Sequence, residues 1–337
     1  MTNKHVLKYM APLMALALAT TACGGSDDGD TQAVTESGDL GSVSVAIGTA
    51  QTFEFLPAEL GLKLGVWESR GLDVANVSVQ GSGQVSQAMA AGQAELGLTA
   101  GASGVDAILS GVESRIVGLI GQDFNMMVLV VPQDSDVQDI SDLRGKVVGV
   151  TSAGSLTDYL VRVIAEDQGW AESDIQRAAI GGLNEQMAGL ESGATDAFVW
   201  SAEAGFSLEE QGKGRVLLSF GDLVKDNVFE DIMATTAVIE DREDAVRAYL
   251  EGWYETVQYM VDHRDETIEY MVETFEVSET VAAKTYDLDI KNLSIDGTIP
   301  ERNLEGLAKS LVSMGIADEA PAADAFWDDR FVPVNPN

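Results

Sequence analysis

One sequence pattern occurs twice along this chain, about 100 residues apart, and it restricts the fold more than any other feature. AAGQAELGL at residues 90–98 is matched by ESGATDAFV at residues 191–199, and in both a helix end, a glycine and an acid precede an apolar strand. This offset is too long for a solenoid, and alternating strands and helices are typical of α/β domains with largely parallel sheets. The sequence therefore predicts two similar α/β lobes.

The alternation of strands and helices stops at about residue 240, and the rest of the chain has the pattern of successive helices. A helical tail of this kind must return to cover one of the lobes, because helices with an apolar face need a partner to pack against. We therefore predict a discontinuous first lobe of residues 41–130 and 235–337, and a second lobe of residues 131–234.

The N-terminal segment has the order of a bacterial secretion signal. Lys4 and Lys8 precede an apolar run well short of the roughly 20 residues of a membrane-spanning helix, and small residues then lead to Cys23, the only cysteine. This order resembles a lipoprotein signal with its lipobox. The resemblance implies that residues 1–22 are removed and that Cys23 is lipidated, at the outer face of the cytoplasmic membrane. A simple secreted protein and a residual membrane anchor are the alternatives.

The charge of the chain limits its partners. Residues 23–40 are polar and acidic without apolar periodicity, which indicates a flexible tether. Without residues 1–22 the chain has 18 basic and 55 acidic residues, a net charge of −37. Such a charge repels nucleic acid and anionic lipid surfaces. We expect no nucleic-acid partner, and contact with the membrane through the lipid anchor only.

Signals for the common enzyme classes are weak. GSGQVS at residues 81–86 begins like a dinucleotide fingerprint, but Ser86 replaces the third glycine, which favours a glycine-rich turn. The two histidines are His5, in the predicted signal segment, and His263, on a charged helical stretch. A Ser-His-Asp triad or a histidine metal site is therefore not expected. The sequence predicts a protein that is not an enzyme and uses no cofactor or metal.

Four blocks in order carry a resemblance to a known family: PAELGLKLGVWESRGLDV, MAAGQAELGLTAG, DLRGKVVGVTSAGS and SGATDAFVW. Over residues 40–330 the chain resembles the substrate-binding proteins of ABC importers, in the nitrate/sulfonate/taurine and thiamine-pyrimidine precursor branch. The resemblance implies an α/β, bilobal type II periplasmic binding protein fold, with two crossover segments best matched to residues 126–134 and 231–239. It also implies delivery of a small-molecule solute to an ABC permease and ATPase complex. The related thiamine-pyrimidine synthases use a cysteine-rich iron motif, which one cysteine cannot supply.

Candidate site residues follow from the strand ends, because ligands of open α/β sheets bind beyond the carboxyl ends of the strands. The candidates are Gln51, Thr52, Phe53, Glu54, Thr99, Ala100, Asp123, Phe124, Thr151, Ser152, Gly154, Ser155, Leu156, Asn184, Trp200, Ser201 and Glu203. Hydroxyls and N–H groups at residues 152–156 are expected to hold an acidic end of the solute at a helix N-terminus. The aromatic rings are expected to flank its body. Ordinary N-capping by Ser155 and core packing of Phe53 are the alternatives.

The nature of the solute stays open at this point. We expect a small organic molecule, sulfonate-, carboxylate- or pyrimidine-like, bound by a monomer. None of the arginines falls in the strand-end breaks, and Glu54, Asp123 and Glu203 could instead pair with an amine or an aminopyrimidine. A ligand-sensing lipoprotein that is not coupled to transport is the alternative function, since it would have the same fold.

Overall fold

The computed structural model describes residues 38–48 and 52–335. Cys23, most of the predicted tether and the candidate Gln51 lie outside these residues. The described strands are β1 (Gly41–Ile47), β2 (Leu72–Ser78), β3 (Leu96–Ala100), β4 (Ser114–Gly121), β5 (Met127–Pro132), β6 (Val147–Val150), β7 (Gln176–Ala179), β8 (Ala197–Ser201), β9 (Gly214–Ser219) and β10 (Glu230–Thr235).

The α-helices of the same part of the chain are α1 (Leu56–Leu64), α2 (Ser82–Ala90), α3 (Gly101–Leu109), α4 (Leu156–Asp167), α5 (Leu183–Ser192), α6 (Ala202–Glu210), α7 (Thr236–Asp241), α8 (Glu243–Asp262), α9 (Arg264–Phe275), α10 (Glu279–Asp289) and α11 (Glu301–Ser313). Short 3₁₀ turns connect several of these elements. No helix among the described residues is both long enough and apolar enough to cross a membrane.

The strands form two five-stranded sheets of the same topology. The first sheet has the order β2-β1-β3-β10-β4 and the second has the order β7-β6-β8-β5-β9. In each sheet one strand, β10 or β5, runs antiparallel to both of its neighbours, while the other two strand pairs are parallel. The prediction of two similar α/β lobes is confirmed. We call the part built on the first sheet lobe 1 and the part built on the second sheet lobe 2.

The two antiparallel strands show where the chain crosses between the lobes. β5 follows β4 of lobe 1 but pairs with β8 and β9 of lobe 2, and β10 follows β9 of lobe 2 but pairs with β3 and β4 of lobe 1. The crossings therefore lie at residues 122–126 and 220–229, a few residues before the predicted lobe bounds. The bounds at 130 and 234 stay a prediction, and the sheets assign β5 to lobe 2 and β10 to lobe 1.

The acid of the repeated motif has the same role in both lobes. Glu95 directly precedes β3, and its side chain accepts a hydrogen bond from the Ser44 N–H of β1 at 3.3 Å. Asp196 directly precedes β8, and its side chain accepts from the Val147 N–H of β6 at 2.8 Å. Each acid thus links the start of a central strand to the neighbouring strand by a hydrogen bond. This explains why an acid recurs at this point of the repeat.

The helices after β10 cover lobe 1. The Trp67 indole stacks on the Tyr249 ring of α8 at a centroid distance of 5.3 Å, and its N–H donates to the Tyr249 carbonyl at 2.9 Å. A Cβ at Gly252 of α8 would collide with this indole, so the glycine permits the close approach. The Tyr254 hydroxyl donates to the Leu119 carbonyl of β4 at 2.8 Å. Helix α8 is therefore part of the core of lobe 1.

Candidate ligand-binding cleft

A small cavity lies between the lobes, where the carboxyl ends of β1, β2, β6 and β8 meet. Its volume is about 30 Å³. It is lined by Gly48, Thr52, Glu54, Phe55, Gly81, Ser82, Met127, Thr151, Leu156, Thr157, Trp200, Ser201 and Glu230. Both lobes contribute, as expected for a ligand site at opposed strand edges.

A wider hollow adjoins the cavity. Thr151 and Trp200 line both spaces, and the hollow has a volume of about 530 Å³. Its remaining lining is Ser78, Val79, Gln80 and Gln84 from lobe 1 and Gly182, Leu183, Asn184 and Glu185 from lobe 2. We call the cavity and this hollow together the cleft. The cleft has a narrow inner end and a wide outer end rich in amide side chains.

The lobes touch each other across the cleft. The Ser103 hydroxyl of α3 donates to the Gly154 carbonyl of lobe 2 at 2.7 Å. Gly81 has φ +85°, and a Cβ there would lie 2.7 Å from the Thr151 hydroxyl oxygen and 2.8 Å from that of Ser152. A glycine at the start of α2 therefore permits both the local turn and the contact between the lobes.

The hydroxyls at the start of α4 are engaged within lobe 2. The Thr151 N–H donates to the Thr157 hydroxyl oxygen at 2.8 Å, and the hydroxyls of Thr157 and Ser155 are 2.9 Å apart. Ser155 is the N-cap and accepts from the Asp158 N–H at 3.3 Å. The Asp158 carboxylate accepts from the Gly154 N–H at 3.2 Å. The chain thus supplies its own carboxylate at the helix N-terminus, where an acidic end of the solute was expected.

Three glutamates gather at the inner end of the cleft. Glu54 and Glu230 line the cavity with only 3% and 4% of their surface exposed. Glu203, 3% exposed, accepts a hydrogen bond from the hydroxyl of the lining residue Ser201. In all three side chains, Oε2 is buried without a hydrogen-bond partner. Among the described lining residues none is Lys, Arg or His, so the inner end is acidic without a basic counterpart.

Burial shifts the ionisation of these acids. It raises the pKa of Glu54 to about 8, with the Glu203 charge adding to the effect. Burial raises the pKa of Glu203 to about 7, against the opposing hydrogen bond from Ser201. It also raises the pKa of Glu230, Asp231 and Asp289 well above the usual range. Much of this cluster is therefore protonated at neutral pH, because ionisation would confine like charges without a counter-ion.

The aromatic candidates separate into core and cleft. Phe53 is fully buried, with its ring edge-on to Tyr286 at 6.1 Å, and Phe124 is fully buried edge-on to Phe229 at 5.0 Å. Neither lines the cavity, so the structure places both in the core, against the expectation that they flank the solute. Trp200, 4% exposed, does form part of the cleft wall.

The candidates as a whole divide into residues that line the cleft and residues that do not. The cavity is lined by the candidates Thr52, Glu54, Thr151, Leu156, Trp200 and Ser201, and the outer hollow by Asn184. The lining excludes the candidates Phe53, Thr99, Ala100, Asp123, Phe124, Ser152, Gly154, Ser155 and Glu203. Thr99 and Ala100 are buried residues of β3, and the Ser155 hydroxyl caps the N-terminus of α4. The site assignments as ligand contacts stay predictions.

Several lining residues were not among the candidates. They are Gly48, Phe55, Gly81, Ser82, Met127, Thr157 and Glu230. Gly81 and Ser82 lie where the short turn after β2 joins α2, so the strand-end rule applied to this glycine-rich turn would find them. Glu230 begins β10, and because β10 is antiparallel, its first residue lies at the edge where the parallel strands end. No local signal in the sequence shows this reversal.

Metal binding finds no support in the part of the chain that the structure describes. No group of three or more His, Cys, Asp or Glu side chains there is arranged to hold a metal ion.

The two lobes have sheets of the same topology, and β5 and β10 each pair in the lobe opposite to that of the strand before them. Together with a cleft at the strand ends, these features define a periplasmic binding protein fold. The profile of the NMT1/THI5-like family matches residues 52–267, and the chain belongs to this family. No curated protein sequence matches the chain significantly.

Solved structures share the fold at low sequence identity. The alkanesulfonate-binding protein SsuA from Xanthomonas axonopodis pv. citri, bound to MOPS, is 16% identical with a TM-score of 0.72, covering 85% of this chain and 98% of its own. The ligand-binding component of an ABC-type import system from Staphylococcus aureus is 13% identical with a TM-score of 0.72, covering 88% and 99%. The desulfurization enzyme DSZB is 15% identical with a TM-score of 0.61, covering 86% and 97%.

Proposed function

We propose that this protein is an extracytoplasmic solute-binding lipoprotein that captures a small organic solute between its lobes and delivers it to an ABC permease. The observation that carries the proposal is the cleft, which is built from the strand ends of both lobes and has polar groups converging on it. The solute-binding components of import systems among the structures of the same fold support it.

The cleft suggests how capture leads to delivery. A solute that contacts Thr52 and Glu54 of lobe 1 together with Thr151 and Trp200 of lobe 2 gains its full set of contacts only when the lobes are closed. Binding therefore shifts the equilibrium between separated and closed lobes by the difference in affinity of the two states. The permease then distinguishes the loaded protein by the relative position of its lobes.

We propose binding rather than catalysis. The described cavity lining contains no cysteine or histidine that could act as nucleophile or base, although the DSZB likeness shows that the fold accommodates an enzyme. Incubation of the protein with its solute should therefore return the solute chemically unchanged.

Crosslinking in membranes of the native host tests the delivery step. The proposal predicts crosslinks from the surfaces of both lobes to an ABC permease, increased when solute is present. Crosslinks only to a sensor protein, in a host that lacks permease and ATPase genes beside this gene, would support the sensing alternative instead.

Replacing Cys23 by serine is expected to release the protein from the membrane, because the proposed lipid is attached to this thiol. Partitioning in Triton X-114 measures this: the natural chain should enter the detergent phase and Cys23→Ser the aqueous phase. Ser26→Ala serves as the control and should stay with the detergent. Equal membrane association of Cys23→Ser and the natural chain would contradict the lipoprotein proposal.

Replacing Trp200 by alanine is expected to weaken solute binding roughly 5- to 150-fold, because this residue lines both the cavity and the outer hollow. Calorimetry with the solute released from the native protein measures the change. Trp170→Ala is the matched control, since Trp170 is half-buried elsewhere in lobe 2. Unchanged affinity together with a large fall in melting temperature would show that Trp200 serves only the core of lobe 2.

A further inference from the structure

The inner end of the cleft has the properties of a site for a positive charge. Glu54 and Glu230 from lobe 1 line it, and Glu203 from lobe 2 adjoins it through Ser201. Each of the three carboxyls is at least 96% buried and has one oxygen without a hydrogen-bond partner. Buried polar atoms are normally paired, so the unpaired oxygens of Glu54 and Glu230, which line the cavity, and of Glu203, which bonds to the lining residue Ser201, indicate a missing donor.

We propose that the solute carries a primary ammonium, or a protonated nitrogen of similar size, bound between Glu54 and Glu230 of lobe 1 and Glu203 of lobe 2. This inference rests on the proposed function and specifies the chemical class of the solute. The remainder of the solute lies outward, between Trp200 and the amide side chains of the outer hollow.

Size and hydrogen bonding both favour a small charged head. The cavity volume of about 30 Å³ has room for a group close to a water molecule in size. A primary ammonium is of this size and has three N–H donors, which equals the number of unpaired glutamate oxygens. A trimethylated ammonium is larger and has no N–H donor, so it would satisfy none of these oxygens.

An anionic head is disfavoured at the same place. It would be confined with the carboxyls of Glu54 and Glu230 and would meet no Lys, Arg or His among the described lining residues. The N-terminus of α4, where an acidic end of the solute is expected, already holds the Asp158 carboxylate of the chain itself, which accepts from the Gly154 N–H. A sulfonate or carboxylate head would therefore lose its hydration without gaining a basic partner.

Protons and the ammonium compete for the same carboxyls. The titratable groups that face one another here are Glu54, Glu203, Glu230, Asp231 and Asp289, with Asp123 beyond Asp289. An ammonium favours the ionised form of its partner, so binding displaces a proton from a glutamate into solvent. With one proton released, the affinity for the ammonium should rise by up to about tenfold per pH unit below the pKa of that glutamate.

Titration calorimetry with matched probes tests the proposal. The amines are ethanolamine and benzylamine, the anions with the same carbon skeletons are isethionate and phenylmethanesulfonate, and choline is the trimethylated form of ethanolamine. They are titrated into the mature chain and into Glu54→Gln, Glu203→Gln and the control Glu166→Gln, which neutralises an exposed acid of α4. Glutamine keeps the shape and removes the ionisable group, and melting temperatures confirm that each variant is folded.

The proposal predicts that an amine binds, that choline and the sulfonates do not, and that amine affinity rises between pH 6 and 8. Both cleft variants should lose at least about tenfold in amine affinity, while Glu166→Gln keeps it. Binding of a sulfonate that is unchanged or strengthened in Glu54→Gln would overturn the ammonium assignment and leave the proposed function standing. Failure of every amine to bind would overturn the ammonium assignment, whereas the proposed capture of a solute is contradicted only if no small molecule is released from the natural chain on denaturation.

Discussion

Raising the pH from 5.5 to 9 is expected to lower the free energy of unfolding of the solute-free protein by on the order of 4 kcal/mol. The pKa of Glu54 is about 8 and that of Glu203 about 7 in the folded chain, against the ordinary value of 4.5. Between these values the folded state binds more protons than the unfolded state. The stabilisation is therefore complete near pH 4.5 and is lost as the pH rises through 7 and 8.

Urea unfolding at pH 5.5, 7 and 9 measures this profile. The double variant Glu54→Gln, Glu203→Gln should show a much flatter profile and should exceed the natural chain in stability at pH 9. The control Glu166→Gln should follow the natural chain, because this residue is exposed. A natural chain that gains stability as the pH rises would mean that the glutamates are already ionised and paired.

Replacing Trp67 by alanine is expected to lower the free energy of unfolding by about 3 to 5 kcal/mol. The side chain is 1% exposed, stacks on Tyr249 of α8 and bonds to its carbonyl. A Cβ at Gly61 of α1 would lie 2.7 Å from its ring, so the indole fills the space between α1 and α8 completely. Truncation leaves a cavity that these two helices cannot close.

Unfolding by guanidinium chloride of Trp67→Ala and of the half-buried control Trp170→Ala provides the comparison. The control should lose no more than about 2 kcal/mol. If the two variants lose equal stability, α8 is not an essential part of the core of lobe 1. In that case the helical tail would have to be regarded as a separate layer.

The fold could be predicted from the sequence because its main determinant is local and repeated. Glu95 and Asp196 each stand between a helix-ending glycine and an apolar strand, and in the structure each ties the central strand of a sheet to its neighbour. The antiparallel strands were harder to place. β5 is an apolar run and β10 is a short strand that begins with two acids, and only their long-range pairing decides which lobe they join.

The site could be predicted in part, for a related reason. The strand-end rule located Thr52, Glu54, Thr151 and Trp200, because parallel strands deliver their carboxyl ends to one edge. It cannot tell which way a side chain at that edge points. Phe53 precedes Glu54 directly, yet the phenylalanine turns into the core and the carboxyl reaches the cavity.

The most direct test of the account is mass spectrometry of the small molecules released by denaturing the protein purified from its native host. We expect one amine-bearing compound at about one molecule per chain, retained by Glu166→Gln and absent from the Glu54→Gln, Glu203→Gln double variant. Release of the same compound in equal amount from that double variant would show that the carboxyls do not hold it. Release of no small molecule from the natural chain would contradict solute capture in the cleft.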